Sequence, residues 1–432
     1  MKRNILEQKI NNLEAKIGII GLGYVGLPLL VEFAKKGFNV IGFDVDKQKI
    51  SYLKKCKSYI TDINNEILKK IKNKTYVTTD FRLLFKCDVV IICVPTPLRK
   101  SKEPDISYII DATKIIAKYL HKNELIILES TSYPGTTREI LLTELEKKGL
   151  KVGKDFYLGF SPERVDPGNK NYNISNTPKV IGGITKDCTY LMKLLYSKIV
   201  NDVVPVSSTE AAETVKLLEN TFRAINIGLA NEMALICNKL NLDIWEIVRA
   251  AGTKPYGFMS FYPGPGLGGH CIPIDPLYLS WKLKTFNFNP RFIELADQIN
   301  TYMPIYVIER LFKILNSKKI TIKGSKILIL GVTYKKDVGD IRESPALTII
   351  KELLKEGAII DYNDPFVNKL DIDNKKMYSV KLSAKALRKY DCVIILADHT
   401  KYDYKFIVNN SKIIFDTRNA TFNIKNNKII KL

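Results

Sequence analysis

Long apolar runs are missing from this chain. No stretch approaches the roughly 18 apolar residues needed to span a bilayer, and the N-terminus, Met1-Lys-Arg-Asn-Ile5, carries charge with no apolar run behind it. The expectation is a soluble, cytoplasmic protein with no membrane partner. Cys-x-x-Cys pairs are missing as well. The seven cysteines (Cys56, Cys87, Cys93, Cys188, Cys237, Cys271 and Cys392) are scattered, mostly in apolar runs such as Val89-Val-Ile-Ile-Cys-Val94, where cysteine acts as a small hydrophobe. This argues against a zinc cage, so no metal is expected, and it fits a reducing compartment. Acidic residues are few beside basic ones, 45 against 67, for a formal charge of +22. A field of that size attracts polyanions, yet the lysines fall in scattered pairs (Lys35-Lys36, Lys54-Lys55, Lys69-Lys70, Lys335-Lys336) with no aromatic–basic signature. No nucleic-acid partner is expected.

What is present is an ordinary globular mixture, 46% hydrophobic and 26% charged, over 432 residues, enough for two or three domains. From residue 17, short β-branched runs alternate with helix-period segments: Ile17–Ile20, Leu27–Lys36, Asn39–Phe43, Thr75–Thr79, Val89–Val94. That rhythm predicts βαβ units and a parallel sheet, extended to about residue 205 by runs at Leu125–Leu128, Phe156–Phe160 and Val180–Ile184. A long helix follows, opened by Ser207-x-x-Glu210 as a capping box and carried to about Lys239 by Leu217, Leu218, Phe222, Ile225, Leu229, Met233 and Ile236. Its length predicts a bridge between domains and a dimer face. Residues 255–290, rich in Gly and Pro, read as a shaped loop with no regular element. After a helix at about 291–316 the βαβ rhythm restarts at Lys326–Leu330, Pro345–Glu356, Ile359–Tyr362, Cys392–Leu396 and Ile413–Phe415. The expected fold is α/β: two doubly wound Rossmann-like domains joined by a long central helix and a helical core.

Strand Ile17–Ile20 runs directly into Gly21-x-Gly23-x-x-Gly26 with Tyr24 and Val25 between, and a helix follows. The first glycine permits the turn, the second lets the backbone approach a pyrophosphate, and the third allows close helix–strand packing. Asp44, 18 residues after Gly26, ends the second strand. A carboxylate there accepts ribose hydroxyls and repels a 2′-phosphate, which favours NAD over NADP, with Lys49 nearby. Pro95 and Thr96 at a later strand end, and Thr131 at the next, are candidates for the nicotinamide half.

Cys271 stands apart from the other cysteines because it follows Gly268-Gly-His270 in the Gly/Pro-rich loop. A helical turn starting there would set its thiol near amide donors that favour the thiolate, with Asp275 four residues on. Pro276 strains that picture. On the long helix Lys216 and Asn220 share one face and make a plausible clamp for an oxyanion. Ser161-Pro-Glu163-Arg164-Val165 puts another carboxylate at a strand end.

Taken together, Gly21-Leu-Gly-Tyr-Val-Gly-Leu-Pro28, Val94-Pro-Thr-Pro97, Ser161-Pro-Glu-Arg164, Gly268-Gly-His-Cys-Ile-Pro-Ile-Asp-Pro276 and Lys335-Lys-Asp-x-x-Asp-x-Arg-Glu-Ser-Pro345 occur in the order of one family. The chain resembles the UDP-glucose/GDP-mannose dehydrogenase family over nearly its whole length. Residues 1–16, with Ile5, Ile10 and Leu13 at roughly helical spacing, form an N-terminal extension outside these motifs. The resemblance implies an NAD domain (17–206), a central helical dimerisation domain carrying the cysteine loop (207–316) and a UDP-sugar domain (317–432). It implies a homodimer or higher homo-oligomer and a four-electron oxidation of a sugar C6 alcohol to the acid, feeding surface polysaccharide precursors. In that chemistry Cys271 is the thiol nucleophile, Lys216 and Asn220 hold the oxyanion, Asp275 assists proton transfer, and Glu163 with Thr131 positions water. Glu163, Arg164, Val165, Lys216, Asn220, Tyr262, Gly268, Lys335 and Arg418 correspond to substrate-binding positions and Arg342 to one that reaches the cofactor. The loop Tyr262–Cys271 looks most like the UDP-N-acetylglucosamine branch, with UDP-N-acetylmannosamine and UDP-glucose enzymes as near relatives. A one-step hydroxyacid-type dehydrogenase would need no loop thiol. A non-catalytic sensor would need none of the four residues Cys271, Asp275, Lys216 and Asn220.

Overall fold

The computed structural model describes residues 2–60, 63–99, 103–165 and 171–432. It divides into two compact units. One comprises residues up to 219 with 277–288; the other comprises 220–276 with 289–432.

In the first unit, eight strands form one sheet: β1 (Lys16–Ile20), β2 (Asn39–Phe43), β3 (Thr75–Thr78), β4 (Val89–Ile92), β5 (Leu125–Leu128), β6 (Tyr157–Phe160), β7 (Lys179–Gly183) and β8 (Val203–Pro205). Their order is β3-β2-β1-β4-β5-β6-β7-β8. β4 and β5 are buried along their whole length, as strands covered on both faces must be, and this explains their unbroken β-branched runs. The expectation of a parallel sheet holds except at one place. β6 and β7 pair antiparallel, Gly159 opposite Gly183. An antiparallel return needs no crossover helix, so the period-3.6 signal that marks a βαβ unit has no reason to appear between them.

The segment before β1 is a helix, Lys2–Asn11. The predicted apolar stripe of Ile5, Ile10 and Leu13 is off by one residue: Leu6 and Ile10 are buried, whereas Ile5 is exposed. Tyr190 donates to Glu7 at 2.6 Å and Lys9 pairs with Asp88 at 2.6 Å, tying this helix to the sheet domain.

The long helix spans Thr209–Leu240. Its cap is not the predicted Ser207 box. The Ser208 hydroxyl accepts from Ala211 N–H at 3.1 Å, while Glu210 turns outward to Arg138 at 2.5 Å. Arg138 is the stronger attractor for the glutamate, so the reciprocal bond never forms.

The second unit holds five parallel strands in the order β10-β9-β13-β14-β15, with β9 (Lys326–Leu330), β10 (Ile359–Asn363), β13 (Cys392–Ile395), β14 (Ile414–Asp416) and β15 (Ile429–Lys431). A hairpin of β11 (Lys369–Ile372) and β12 (Lys375–Tyr378) is separate. The helix Arg291–Ser317 buries Met303, Val307, Leu311 and Leu315 in the core of this sheet. Both doubly wound domains and the helical middle are therefore as the sequence predicts. Among the described residues no helix is long and apolar enough to cross a membrane.

Candidate active site

In the first unit, β1 ends at Ile20 and the chain turns at Gly21, whose φ is +92°. A Cβ there would lie 2.5 Å from the Cys93 carbonyl oxygen, and one at Gly26 would lie 1.9 Å from that of Gly21. Both glycines are demanded by packing. At Gly23, by contrast, a Cβ would meet nothing within 4 Å. That open space, in front of a helix (Gly26–Lys35) whose start makes no side-chain cap hydrogen bond at Val25, fits a pyrophosphate at a helix N-terminus. Tyr24 beside it is half-exposed. Asp44 is buried and already engaged: it accepts from Leu22 N–H (2.9 Å) and Asp46 N–H (2.9 Å), and Lys49 Nζ lies 3.2 Å away. A carboxylate offers about four acceptor sites, so capacity for ribose hydroxyls remains. Pro95 is exposed and Thr96 buried, its carbonyl accepting from the Tyr278 hydroxyl at 2.9 Å.

The same unit carries Thr131 and Glu163 after strand ends and Lys216 on the long helix, where Lys216 bears on Glu163. The Thr131 loop is clamped on either side. Ser130 Oγ donates to Val94 O at 2.8 Å, and Glu213 accepts from Gly135 N–H (2.6 Å), Thr137 N–H (2.9 Å) and the Thr137 hydroxyl (2.7 Å). Burial pushes the Glu213 carboxyl up to about 7 against those bonds. Glu163 accepts from Arg164 N–H (2.8 Å) and Val165 N–H (2.7 Å). Burial opposes its charge, but Lys179, the backbone amides and Lys216 outweigh it and hold the carboxyl below its usual range. Arg164 is used locally, pairing with Glu219 at 2.6 Å and donating to Pro178 O at 2.8 Å. Lys179 and its partner Glu129 were not singled out from sequence, because their pairing joins strand ends 50 residues apart.

In the second unit the cysteine loop is packed against the segment that follows β9. A Cβ at Gly268 would lie 2.5 Å from Tyr334 Cβ, and Gly269, at φ +86°, donates to Arg342 O at 3.0 Å. Cys271 is the exposed cysteine; the other six are buried. Burial pushes the Cys87 and Cys392 thiols up to about 12, which leaves them as inert thiols. The predicted helical turn is there: the Cys271 carbonyl accepts from Ile274 N–H (3.1 Å) and Asp275 N–H (2.8 Å). The expectation of loop throughout 255–290 is corrected by the helix Asp275–Lys284. Pro276 sits in its first turn, where a missing N–H removes no intrahelical bond, so it starts the helix without straining it. Asp275 is buried, and Asn220 Nδ2 donates to its Oδ2 at 2.6 Å. That contact gives the half-buried amide on the long helix a partner.

A cleft in this unit is lined by Trp245, Arg249, Tyr262, Asp398, Arg418 and Phe422. Trp245 and Tyr262 stack at 6.0 Å. Arg418 donates to Leu396 O at 3.0 Å, and burial pulls its guanidinium below its ordinary value, against Asp398 and Asp416. A Cβ at Gly264 would come within 2.6 Å of Arg418 Nη1 and push the guanidinium aside. Trp245, Arg249 and Phe422 escaped the sequence reading. The short helix Ile244–Ala251, a strongly two-sided pattern, carries the first two and was the available signal. Lys335 lies in the turn after β9, its carbonyl accepting from the Thr333 hydroxyl at 2.9 Å, and Arg342 pairs with Asp340 at 2.6 Å.

Three family models cover the chain: the NAD binding domain of the UDP-glucose/GDP-mannose dehydrogenase family over residues 15–200, its central domain over 210–302 and its UDP binding domain over 328–423. A UDP-N-acetyl-D-glucosamine 6-dehydrogenase of Pseudomonas aeruginosa is 36% identical over 392 residues, 90% of this chain and 92% of that protein. A UDP-N-acetyl-D-mannosamine dehydrogenase of Methanococcus maripaludis is 35% identical over 419 residues, 94% and 92% of the two chains. The solved UDP-D-ManNAc dehydrogenase of Pyrococcus horikoshii superposes with a TM-score of 0.87 at 33% identity, covering 96% of this chain and 98% of that one. With an open glycine cradle in one doubly wound domain, an arginine-lined cleft in the other unit and three models matched between residues 15 and 423, the chain belongs to the UDP-glucose/GDP-mannose dehydrogenase family and takes NAD as its cofactor.

Proposed function

We propose that this protein oxidises the C6 alcohol of UDP-N-acetylglucosamine to the uronic acid, a precursor for surface polysaccharide, through a thioester on Cys271. The observation that carries the reading is the state of that cysteine: exposed, at the head of a helical turn, four residues before a buried Asp275 bonded to Asn220. Two NAD molecules, bound in turn, would each accept one hydride. Cys271 attacks the intermediate aldehyde to give a thiohemiacetal, which loses its hydride and a proton to become the thioester. Lys216 and Asn220, one turn apart on the long helix, hold the oxyanion, and Asp275 relays the proton. Glu163 and Thr131 set the water that releases the acid and restores the thiol. Lys335, Arg418 and Tyr262 hold the nucleotide sugar, with Gly268 shaping the loop and Arg342 directed to the cofactor. The cleft residues Trp245, Arg249 and Phe422 suit a planar base with a diphosphate. Leu218, Phe222, Leu229 and Ile236, exposed along the long helix, favour a homodimer.

The manno epimer is the second reading, favoured by relatives at 35% identity and by the solved Pyrococcus structure. A rigid loop discriminates one substituent by only about 1–3 kcal/mol, roughly 10- to 200-fold. A panel of UDP-N-acetylglucosamine, UDP-N-acetylmannosamine and UDP-glucose should give two NADH per sugar, with the highest kcat/KM for the first. A preference for another sugar moves the chain to that branch, and one NADH per sugar defeats the thioester route.

A further inference from the structure

Glu163 is part of a buried charge cluster. Lys179, the first residue of β7, places its Nζ 2.8 Å from Glu129 Oε2 and 3.5 Å from Glu163 Oε2. The Tyr196 hydroxyl donates to the other oxygen of Glu129, and its ring centre lies 5.4 Å from the Lys179 ammonium. Glu129, Lys179 and Tyr196 are all buried. Each buried ion forfeits several kcal/mol of hydration, and apolar side chains of similar volume would often stabilise a domain as well. The cluster therefore calls for a reason beyond packing.

Geometry supplies one. One oxygen of Glu163 is held by two backbone N–H groups and the other faces Lys179, which fixes the carboxylate in orientation. The groups that bear on it are Lys179 from β7, Lys216 from the long helix, Glu129 after β5, Cys93 after β4 and Tyr196 from the helix Lys186–Tyr196. With both glutamates ionised, the two lysines bring the local charge to zero. Burial wins at Glu129, whose carboxyl is pushed up, but loses at Glu163.

We propose that Lys179, seated by Glu129 and Tyr196, is a positioning residue that keeps Glu163 ionised and aimed for the water-attack half of the reaction. The proposal rests on the role given to Glu163 above, and it separates the two halves of turnover: Lys179 serves hydrolysis of the thioester and not the oxidations that precede it.

Rapid mixing of the Lys179→Met enzyme with NAD and the preferred UDP sugar tests this. The expected result is an NADH burst near the native rate, followed by a steady state about 10- to 100-fold slower than native, with an acyl adduct on the Cys271 peptide in mass spectra. Without the cation, Glu163 takes up its proton at higher pH, so the acid limb of the steady-state profile should move up by about 1 pH unit or more. Lys179→Arg should recover most of the loss. Equal slowing of burst and steady state, or an unmoved acid limb, overturns the proposal. Lys179→Met/Glu129→Gln, which removes one charge of each sign, carries the same expectation should the single variant not fold. Loss of native circular dichroism in both would make Lys179 a packing ion and also overturn it. Glu163→Gln distinguishes the two layers of argument. Native thioester hydrolysis in that variant removes the role of Glu163 itself, whereas slow hydrolysis there beside native hydrolysis in Lys179→Met removes only the role of Lys179.

Discussion

The two doubly wound domains repeat one turn and then diverge. Gly21 after β1 and Gly331 after β9 both have positive φ, and their N–H groups donate to Phe43 O at 2.8 Å and Asn363 O at 3.0 Å. Asp44 and Asp364, each following the second strand of its unit, accept from the next residue of the turn, Leu22 N–H at 2.9 Å and Val332 N–H at 2.8 Å. Each also accepts from the N–H two residues on, Asp46 and Phe366. The aspartate is therefore a brace for the turn in both domains. What distinguishes the cofactor side is what comes next. After Gly21 the helix starts within five residues, open at Gly23 and without a side-chain cap. After Gly331 the chain runs to Ser344 before its helix starts, and that helix is capped by the Ser344 hydroxyl and opened by Pro345. An amide row already capped has less to offer a phosphate.

The largest expected effect comes from chemistry placed outside both turns. Cys271→Ser should lower kcat by about 10³-fold or more, because a hydroxyl is a far weaker nucleophile near neutral pH, while nucleotide binding by either domain stays intact. Steady-state NADH production checks this, and near-native turnover would return Cys271 to an ordinary loop residue.

That loop also marks how far the sequence could be read. Strands β1, β4, β5 and β9 were legible because buried parallel strands are written as unbroken β-branched runs, and the exposed cysteine was legible because it follows Gly268-Gly-His270 in a Gly/Pro-rich loop. The helix Asp275–Lys284 was not, since Pro276 looks like a breaker until the register shows it in a first turn. Leu6 in place of Ile5 and Ser208 in place of Ser207 are one-residue choices made by tertiary partners: the sheet domain under the N-terminal helix and Arg138 beside Glu210. The Lys179–Glu129 pair joins strand ends distant in sequence, and no local period records it.

The second effect separates brace from ligand contact. Asp44→Ala should weaken NAD by about 10- to 100-fold, the worth of a hydrogen bond to a charged group, and narrow the gap to NADP. It should also cost about 1–3 kcal/mol of stability through the orphaned Leu22 N–H. Asp364→Ala should cost at least as much stability, since buried His399 loses its partner at 3.0 Å, with no change in NAD affinity. Calorimetric titration and thermal melts on both variants check the pair, and an equal fall in NAD affinity for Asp364→Ala would mean that global loosening explains both.

The smallest effect probes the difference at the helix starts. Ser344 Oγ accepts from Ala346 N–H at 3.3 Å in a buried N-cap with extended backbone geometry. Removing a serine cap costs about 1 kcal/mol, so Ser344→Ala should lower the melting temperature by a few degrees, with NAD affinity unaltered. Its reach into function should be limited to the segment it anchors. Lys335 and Arg342 lie between Gly331 and Ser344, and the Arg342 carbonyl holds Gly269 of the cysteine loop at 3.0 Å. A loosened cap should therefore raise KM for the UDP sugar a few-fold and leave the NADH yield of two per sugar intact. An unchanged KM beside the lowered melting temperature would show that the Gly269–Arg342 bond and the Asp340 pair hold this segment without the cap.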